Sequence, residues 1–284
     1  MLKYLNLLII LLIVSCNNST NKDNKSINQL VIKNKTNLKI EDLTRVERKD
    51  TLRYTYQIFK STSPYLIENE DGIDTTYFQI SYPFFEDKDI NYLINDYIVL
   101  ESEKTVDQVA DSFLSGFNEF VEDQSTSTVN FPWHQLIISK VITNTPLLLT
   151  ISTFRDEYTG GAHGNHVTLL SNFDLTANKK VELKEIIKKD KLTELTSIAE
   201  TYFRKIENIS DTTSLKDYFF LDGNFSINDN FAITKDGLLF FYNEYEIKPY
   251  SEGTTEILIP FSDITDQLNN KGKKYVQSVV KPII

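Results

Sequence analysis

The sequence predicts an α+β fold, a mainly antiparallel sheet packed by two or more long helices. Three observations predict it: apolar residues alternate at every second position in several segments, recur at steps of three and four in others, and the two kinds of block do not follow strict strand–helix–strand order. At about 100 to 200 residues per domain, the 284-residue chain suits one large domain or two small ones. We divide it into a leader (1–16), a flexible tether (17–43) and two α+β sub-domains (44–130 and 131–284).

The opening, MLKYLNLLIILLIVSC, has one lysine, Lys3, and an apolar run from Leu5 to Val14. About ten apolar residues are too few to cross a bilayer as a helix, which takes about 20, but they suit the core of a secretory signal. Ile13-Val14-Ser15-Cys16 resembles a bacterial lipobox, which implies that Cys16 is acylated and becomes the first mature residue. Its acyl chains would hold the protein on a membrane without a spanning helix. NNSTNKDNKSINQ then follows, polar and without aromatic residues or an apolar period, as a tether requires.

From about residue 44 the texture changes. TLRYTYQIF places Leu52, Tyr54, Tyr56 and Ile58 on one side of an extended segment, and TTYFQISYPFF repeats the alternation up to Pro83, where the strand is expected to stop. Ile90, Leu93, Ile94 and Tyr97, then Val109, Phe113, Leu114 and Phe117, recur at helical steps. They give one long helix or two consecutive ones from about 88 to 122, packed across a sheet. Three strands follow, broken at Asn144-Thr145-Pro146 and at Gly160 to Asn165. A further helix over 190–208 aligns Leu195, Ala199, Tyr202 and Phe203, and the end supplies a hairpin about Asp236-Gly237, a bend at Pro249 and another strand.

The chain carries 30 basic against 40 acidic residues, a formal net charge of −10. Such a surface disfavours nucleic acid and anionic lipid and steers basic partners towards it. Cys16 is the only cysteine, so once acylated it leaves no thiol nucleophile, disulfide or thiolate metal site. The sequence has no G-x-S-x-G elbow, P-loop or G-x-G-x-x-G fingerprint. DGNFSINDN begins like an EF-hand loop, but Ile227 stands where glycine is needed and Ile233 where the bidentate glutamate belongs. No catalytic residue, metal or cofactor is expected.

YTGGAHGNHVTLLSNFDL, from Tyr158 to Leu175, concentrates glycines and two of the three histidines between strand-like runs. Alternation puts His166 with Thr168, Asn172 and Asp174 on the more polar face. Gly160, Gly161 and Gly164 accept positive φ, and successive backbone N–H groups in such a loop can shape a concave rim for a ligand. As zinc ligands, His163 and His166 would need a third partner from His134, Asp156 or Glu157, none of them brought near by sequence alone. Asp156 and Glu157 are adjacent and so point to opposite faces of a strand. We expect a shaped corner without proton-transfer machinery, accompanied by Tyr242, Tyr245 and Tyr250, whose rings suit sugar or protein surfaces.

YTGGAHGNHVTLLSNFDLTANKKVELKEII and FAITKDGLLFFYNEYEIKPYSEGTTEILIPFSDI together resemble the extracytoplasmic domain of RsiV-like anti-sigma factors and of the N-terminal part of PdaC-type peptidoglycan deacetylases. TTYFQISYPFFEDKDINYLINDYI resembles the earlier half of the same module, so the likeness spans about 45–270. The resemblance implies binding at the cell envelope: lysozyme in the anti-sigma factor, and accompaniment of a separate catalytic domain in the deacetylase. It implies ligand-binding roles for Gly160, Gly161, His163, Gly164 and Asn165 in the loop, and for Tyr245, Tyr250 and Gly253 in the terminal motif. The chain departs from these families in showing no cytoplasmic anti-sigma segment, no spanning helix ahead of the domain and no deacetylase domain after residue 284. The expected function is therefore a non-enzymatic binding or sensing module, lipid-anchored to a bacterial membrane through Cys16 and facing away from the cytoplasm. Its expected partner is a basic protein such as lysozyme, or peptidoglycan, and not nucleic acid. A cell-wall hydrolase using His163 or His166, and a structural envelope lipoprotein without ligand, are the alternatives.

Overall fold

A computed structural model describes residues 51–69, 72–99, 103–124 and 129–280. The leader, Cys16 and the tether lie outside the described residues. The chain forms Tyr54–Thr62 (β1), Ile67–Asn69 (β2), Gly72–Asp74 (β3) and Tyr77–Phe85 (β4), then the helices Lys88–Val99 (α1) and Val106–Gln124 (α2). His134–Asn144 (β5), Leu148–Tyr158 (β6), Asn165–Asp174 (β7) and Lys179–Lys180 (β8) precede Leu183–Ile186 (α3) and Leu192–Ile206 (α4). Phe231–Ile233 (β9), Leu238–Tyr242 (β10), Thr255–Ile259 (β11), Phe261–Ile264 (α5) and Asn270–Val280 (α6) complete the order.

Six strands make one sheet in the order β1-β4-β5-β6-β7-β8, β11-β10-β9 make a second, and β2 and β3 pair with each other. Neighbours in the large sheet run antiparallel except β4 and β5, which are parallel from Tyr77↔His134 to Ser81↔Ile138. A parallel pair needs a crossover, and α1 and α2 lie in the connection that supplies it. The periodicity from 88 to 122 thus resolves into two helices. The fold is α+β with a mainly antiparallel sheet, and the large sheet draws strands from both sides of residue 130.

One face of the large sheet takes α1 and α2: Ile90, Ile94, Ile98, Val109 and Ala110 pack with Phe78, Ile80, Ile137, Leu149, Ile151 and Phe173. A second core joins Leu195, Ala199 and Phe203 of α4 to Phe231, Phe240, Ile257 and Ile259 of the small sheet. Fully burying a side chain of this kind contributes about 1.5–3 kcal/mol, which fixes where the small sheet sits.

Two expectations change. β4 runs through Pro83 to Phe85 instead of stopping. The odd residues of β4 direct their N–H towards β5, as Tyr77 does in bonding Trp133 O, and β5 pairing ends at Ser81, so the N–H that Pro83 lacks has no ladder partner to lose. The helix α6 was not expected, because its core-facing stripe of Gly272, Tyr275, Val276 and Val279 is short, opens on a glycine and stands among lysines and a glutamine.

Candidate functional site

Strand register builds the site first. His134 of β5 faces Tyr158 of β6, and Asp156 of β6 faces His166 of β7. Opposed residues share a face, so all four side chains emerge on the side away from α1 and α2. Asp156 spans two imidazoles: its Oδ2 is 3.2 Å from His134 Nε2 and its Oδ1 is 3.2 Å from His166 Nε2. Glu157 points to the other face, where Gln135 Nε2 donates to its Oε2 at 2.6 Å and Arg155 also bonds it. The rings of Tyr77, His134 and Tyr158 stack side by side across three strands. Burial, reinforced by the Asp156 and Asp74 carboxylates, raises the Tyr77 phenol above its ordinary value, so it remains un-ionised at neutral pH.

The glycine loop folds over this row. Gly160 has φ +107°, and a Cβ there would lie 2.9 Å from the Phe131 ring. At Gly164 a Cβ would meet Glu157 O at 3.1 Å and Asp156 Oδ1 at 3.4 Å, so the missing side chain lets the loop lie close over Asp156. His163 Nδ1 is 2.8 Å from Gly164 O; a carbonyl only accepts, so Nδ1 carries the proton, and in the neutral ring Nε2 accepts from the Tyr245 hydroxyl at 3.3 Å.

The connection between β10 and β11 supplies the other half. Asn243 Oδ1 accepts from Thr168 N–H at 2.6 Å and its Nδ2 donates to Thr168 O at 3.2 Å. Glu244 Oε1 lies 3.6 Å from His166 Nδ1, and Tyr245 reaches His163. Three consecutive residues thus grip β7 and its loop at positions 168, 166 and 163. Asn230 repeats the device one step along, accepting from Leu170 N–H at 2.7 Å and donating to Thr168 O at 2.8 Å. The short turn Tyr250–Glu252, ended by Gly253 at φ +69°, then lays Tyr250 on His163 with ring centres 3.9 Å apart and planes 15° from parallel. Tyr245 is 58% exposed and holds φ +63°, a conformation that costs a non-glycine residue roughly 1–2 kcal/mol.

The structure therefore brings His163, Tyr245 and Tyr250 into one exposed patch. Gly160, Gly161, Gly164 and Gly253 shape the turns that carry them, and Asn165 opens β7 at the exposed rim. Among the described residues it does not gather His163 and His166 with a third ligand into a metal centre, although the Tyr250 ring lies 3.9 Å from one and 6.2 Å from the other. Tyr242 leaves the group altogether, 2% exposed with its hydroxyl donating to Ser226 O. His166, between Asp156 and Glu244, places an imidazole–carboxylate array in a corner that was expected to hold no proton-handling groups. Glu244 was missed because adjacency to Tyr245 was its only local signal. The pairing of Asp156 with His134 depends on strand register that sequence spacing does not reveal. Among the described residues, no group of three or more histidine, cysteine, aspartate and glutamate side chains is placed to hold a metal ion, and no helix is long and apolar enough to cross a membrane. A shallow depression lined by Glu103, Lys104 and Asp111 and a small one of about 100 Å³ beside Tyr54 and Phe84 lie elsewhere.

Two family models match the chain, Deacetylase PdaC over residues 69–166 and Protein of unknown function (DUF3298) over residues 184–262. No curated protein matches it. Among solved structures, a DUF3298 family member from Bacteroides fragilis superposes with a TM-score of 0.61 at 20% identity, covering 83% of this chain and all of that one. A DUF3298 family protein from Pseudomonas aeruginosa PAO1 does so with a TM-score of 0.55 at 19% identity, covering 76% of this chain and 94% of that one. His134, Asp156, His163 and His166 fall in the first matched segment, while Glu244, Tyr245 and Tyr250 fall in the second. A segment that matches the Deacetylase PdaC model is thus followed by one that matches the DUF3298 model, on a fold similar to that of DUF3298 family structures, and the histidine–tyrosine patch is where the two matched segments meet.

Proposed function

We propose that this protein is an extracytoplasmic module of the bacterial cell envelope, lipid-anchored through Cys16, that binds or senses a ligand rather than cleaving one. The observation that carries the reading is the convergence of His163, Tyr245 and Tyr250 on one exposed patch joining the two family segments. Stacked rings with polar ends offer rigid contact area at low entropic cost, suited to a saccharide face or to side chains of a protein. The ligand is a basic protein such as lysozyme, in the manner of RsiV-like domains, or a peptidoglycan fragment. The net charge of −10 supports the former and the PdaC match the latter.

Calorimetric titration of the full chain with lysozyme and with muropeptides at low salt tests the reading. Binding that drops at least about tenfold in Tyr250→Ala, the scale of a central aromatic contact, is expected. Absence of heat with both ligands rejects it and leaves a structural envelope lipoprotein.

A cell-wall hydrolase draws its support from Asp156, which could orient His134 or His166 as a general base. Release of reducing ends from purified peptidoglycan, abolished in His166→Ala, would establish that alternative.

A further inference from the structure

His166 faces a carboxylate from each of its ring nitrogens, Asp156 Oδ1 3.2 Å from Nε2 and Glu244 Oε1 3.6 Å from Nδ1. A neutral imidazole has one N–H and one lone pair. It can donate to one of these carboxylates, and it then turns a lone pair towards the other. Only the doubly protonated ring donates to both. The second oxygen of Glu244, Oε2, is sealed from solvent and has no hydrogen-bond partner, so His166 is the group on hand to offset that charge. The remaining titratable groups around the ring are His134 of β5, reached through Asp156, and His163 and Tyr250 of the patch, with the Tyr250 ring 6.2 Å away. Arg155 and Glu157 pair on the opposite face of the sheet. Glu246 is occupied by Asn243 N–H and Asn228 Nδ2.

We propose that His166 is a proton-operated latch between β7 and the β10–β11 connection. With one proton on the ring, the Glu244 contact pairs a lone pair with a carboxylate and the connection loosens. Addition of the second proton turns both contacts into charge-assisted hydrogen bonds and draws Glu244 inward. Asn243 and Tyr245 flank Glu244, so the same event seats Tyr245 against His163 and completes the aromatic patch. Acidification therefore orders the binding face, and alkalinisation releases it. As a regulation of that face, the latch rests on reading the patch as a binding surface, but its motion can be followed without any ligand.

Hydrogen exchange on the full chain, corrected for the chemical effect of pH, tests the latch on segments 159–168 and 243–252 at about pH 5.5 and about pH 7.5, a window that histidine titration spans. Protection of both segments roughly tenfold greater at the lower pH is expected, the size of one charge-assisted hydrogen bond gained. The difference should vanish in His166→Gln and in Glu244→Gln, with the exchange of β1 and β4 unchanged as the check on folding. In the unaltered chain, the ring nitrogen NMR shifts of His166 should both sit at the protonated position in the protected state. Equal protection at both pH values, a pH effect that survives in His166→Gln, or a ring nitrogen at its neutral position in the protected state overturns the proposal. A pH-dependent latch in a chain that binds neither lysozyme nor muropeptide rejects the binding reading alone, whereas binding with a flat exchange profile rejects the latch alone.

Discussion

Gly160 and Gly161 look interchangeable in the sequence, and the structure separates them. Both hold positive φ, +107° and +98°, but a Cβ at Gly160 meets the Phe131 ring whereas one at Gly161 meets nothing within 4 Å. Gly161→Ala should therefore cost backbone strain alone, about 1 kcal/mol, and Gly160→Ala strain plus a steric clash, about 2–3 kcal/mol. Chemical denaturation of the two variants checks this; equal losses would mean that Phe131 yields. At this scale the sequence revealed which residue types matter and concealed what they touch. Glycine clusters announce unusual backbone, and the exposed tyrosines announce contact area. Nothing in a run of letters shows that Tyr250 lies on His163, 87 positions away, while Tyr242, so close to Tyr245, is core.

Between elements, α6 adds a polar contact with the far end of β7 to the apolar packing of Tyr275, Val276 and Val279. Tyr275 donates to Asp174 Oδ2 at 2.6 Å, the backbone N–H groups of Thr176 and Ala177 donate to Oδ1, and Lys271 lies 3.4 Å away. Burial opposes ionisation of Asp174, but the hydrogen bonds from Tyr275, Ala177, Thr176 and Lys271 outweigh it and hold the carboxyl below its ordinary value. A carboxyl depressed on folding stabilises above its unfolded value, near pH 4, and that contribution is lost as pH falls through the folded one. Tyr275→Phe should cost about 1.5–3 kcal/mol at neutral pH, and Asp174→Asn should flatten the fall in stability between about pH 4 and pH 2. Urea melts across that range read both. Strong periods made α1, α2 and α4 legible, and alternation made the strands so. α6 stayed hidden because its stripe of Tyr275, Val276 and Val279 is short and lies in a lysine-rich stretch. Pro83 misled because its effect depends on which edge of β4 is still paired.

For the whole molecule, the acidic excess and the site belong to one argument. If the partner is basic, its association should slow as salt rises from about 0.02 M to about 0.3 M, since the screening length shrinks to about 10 Å by 0.1 M. Stopped-flow association with lysozyme measures it, and a rate indifferent to salt would detach the net charge from recognition. The α+β class could be read from periodicity because each element carries its own signal. The assembly of the site could not, because it depends on β5, β6 and β7 aligning in register and on the small sheet returning to β7. That return has a further effect. Phe173 and Asp174 of β7 pair with β8, and further along that border the amides of Asn230 and Asn243 take up main-chain groups of Thr168 and Leu170. A bare strand border is a template for another molecule's strand. Here side chains occupy its middle at Thr168 and Leu170, which interrupts the seam along which another strand could zip on.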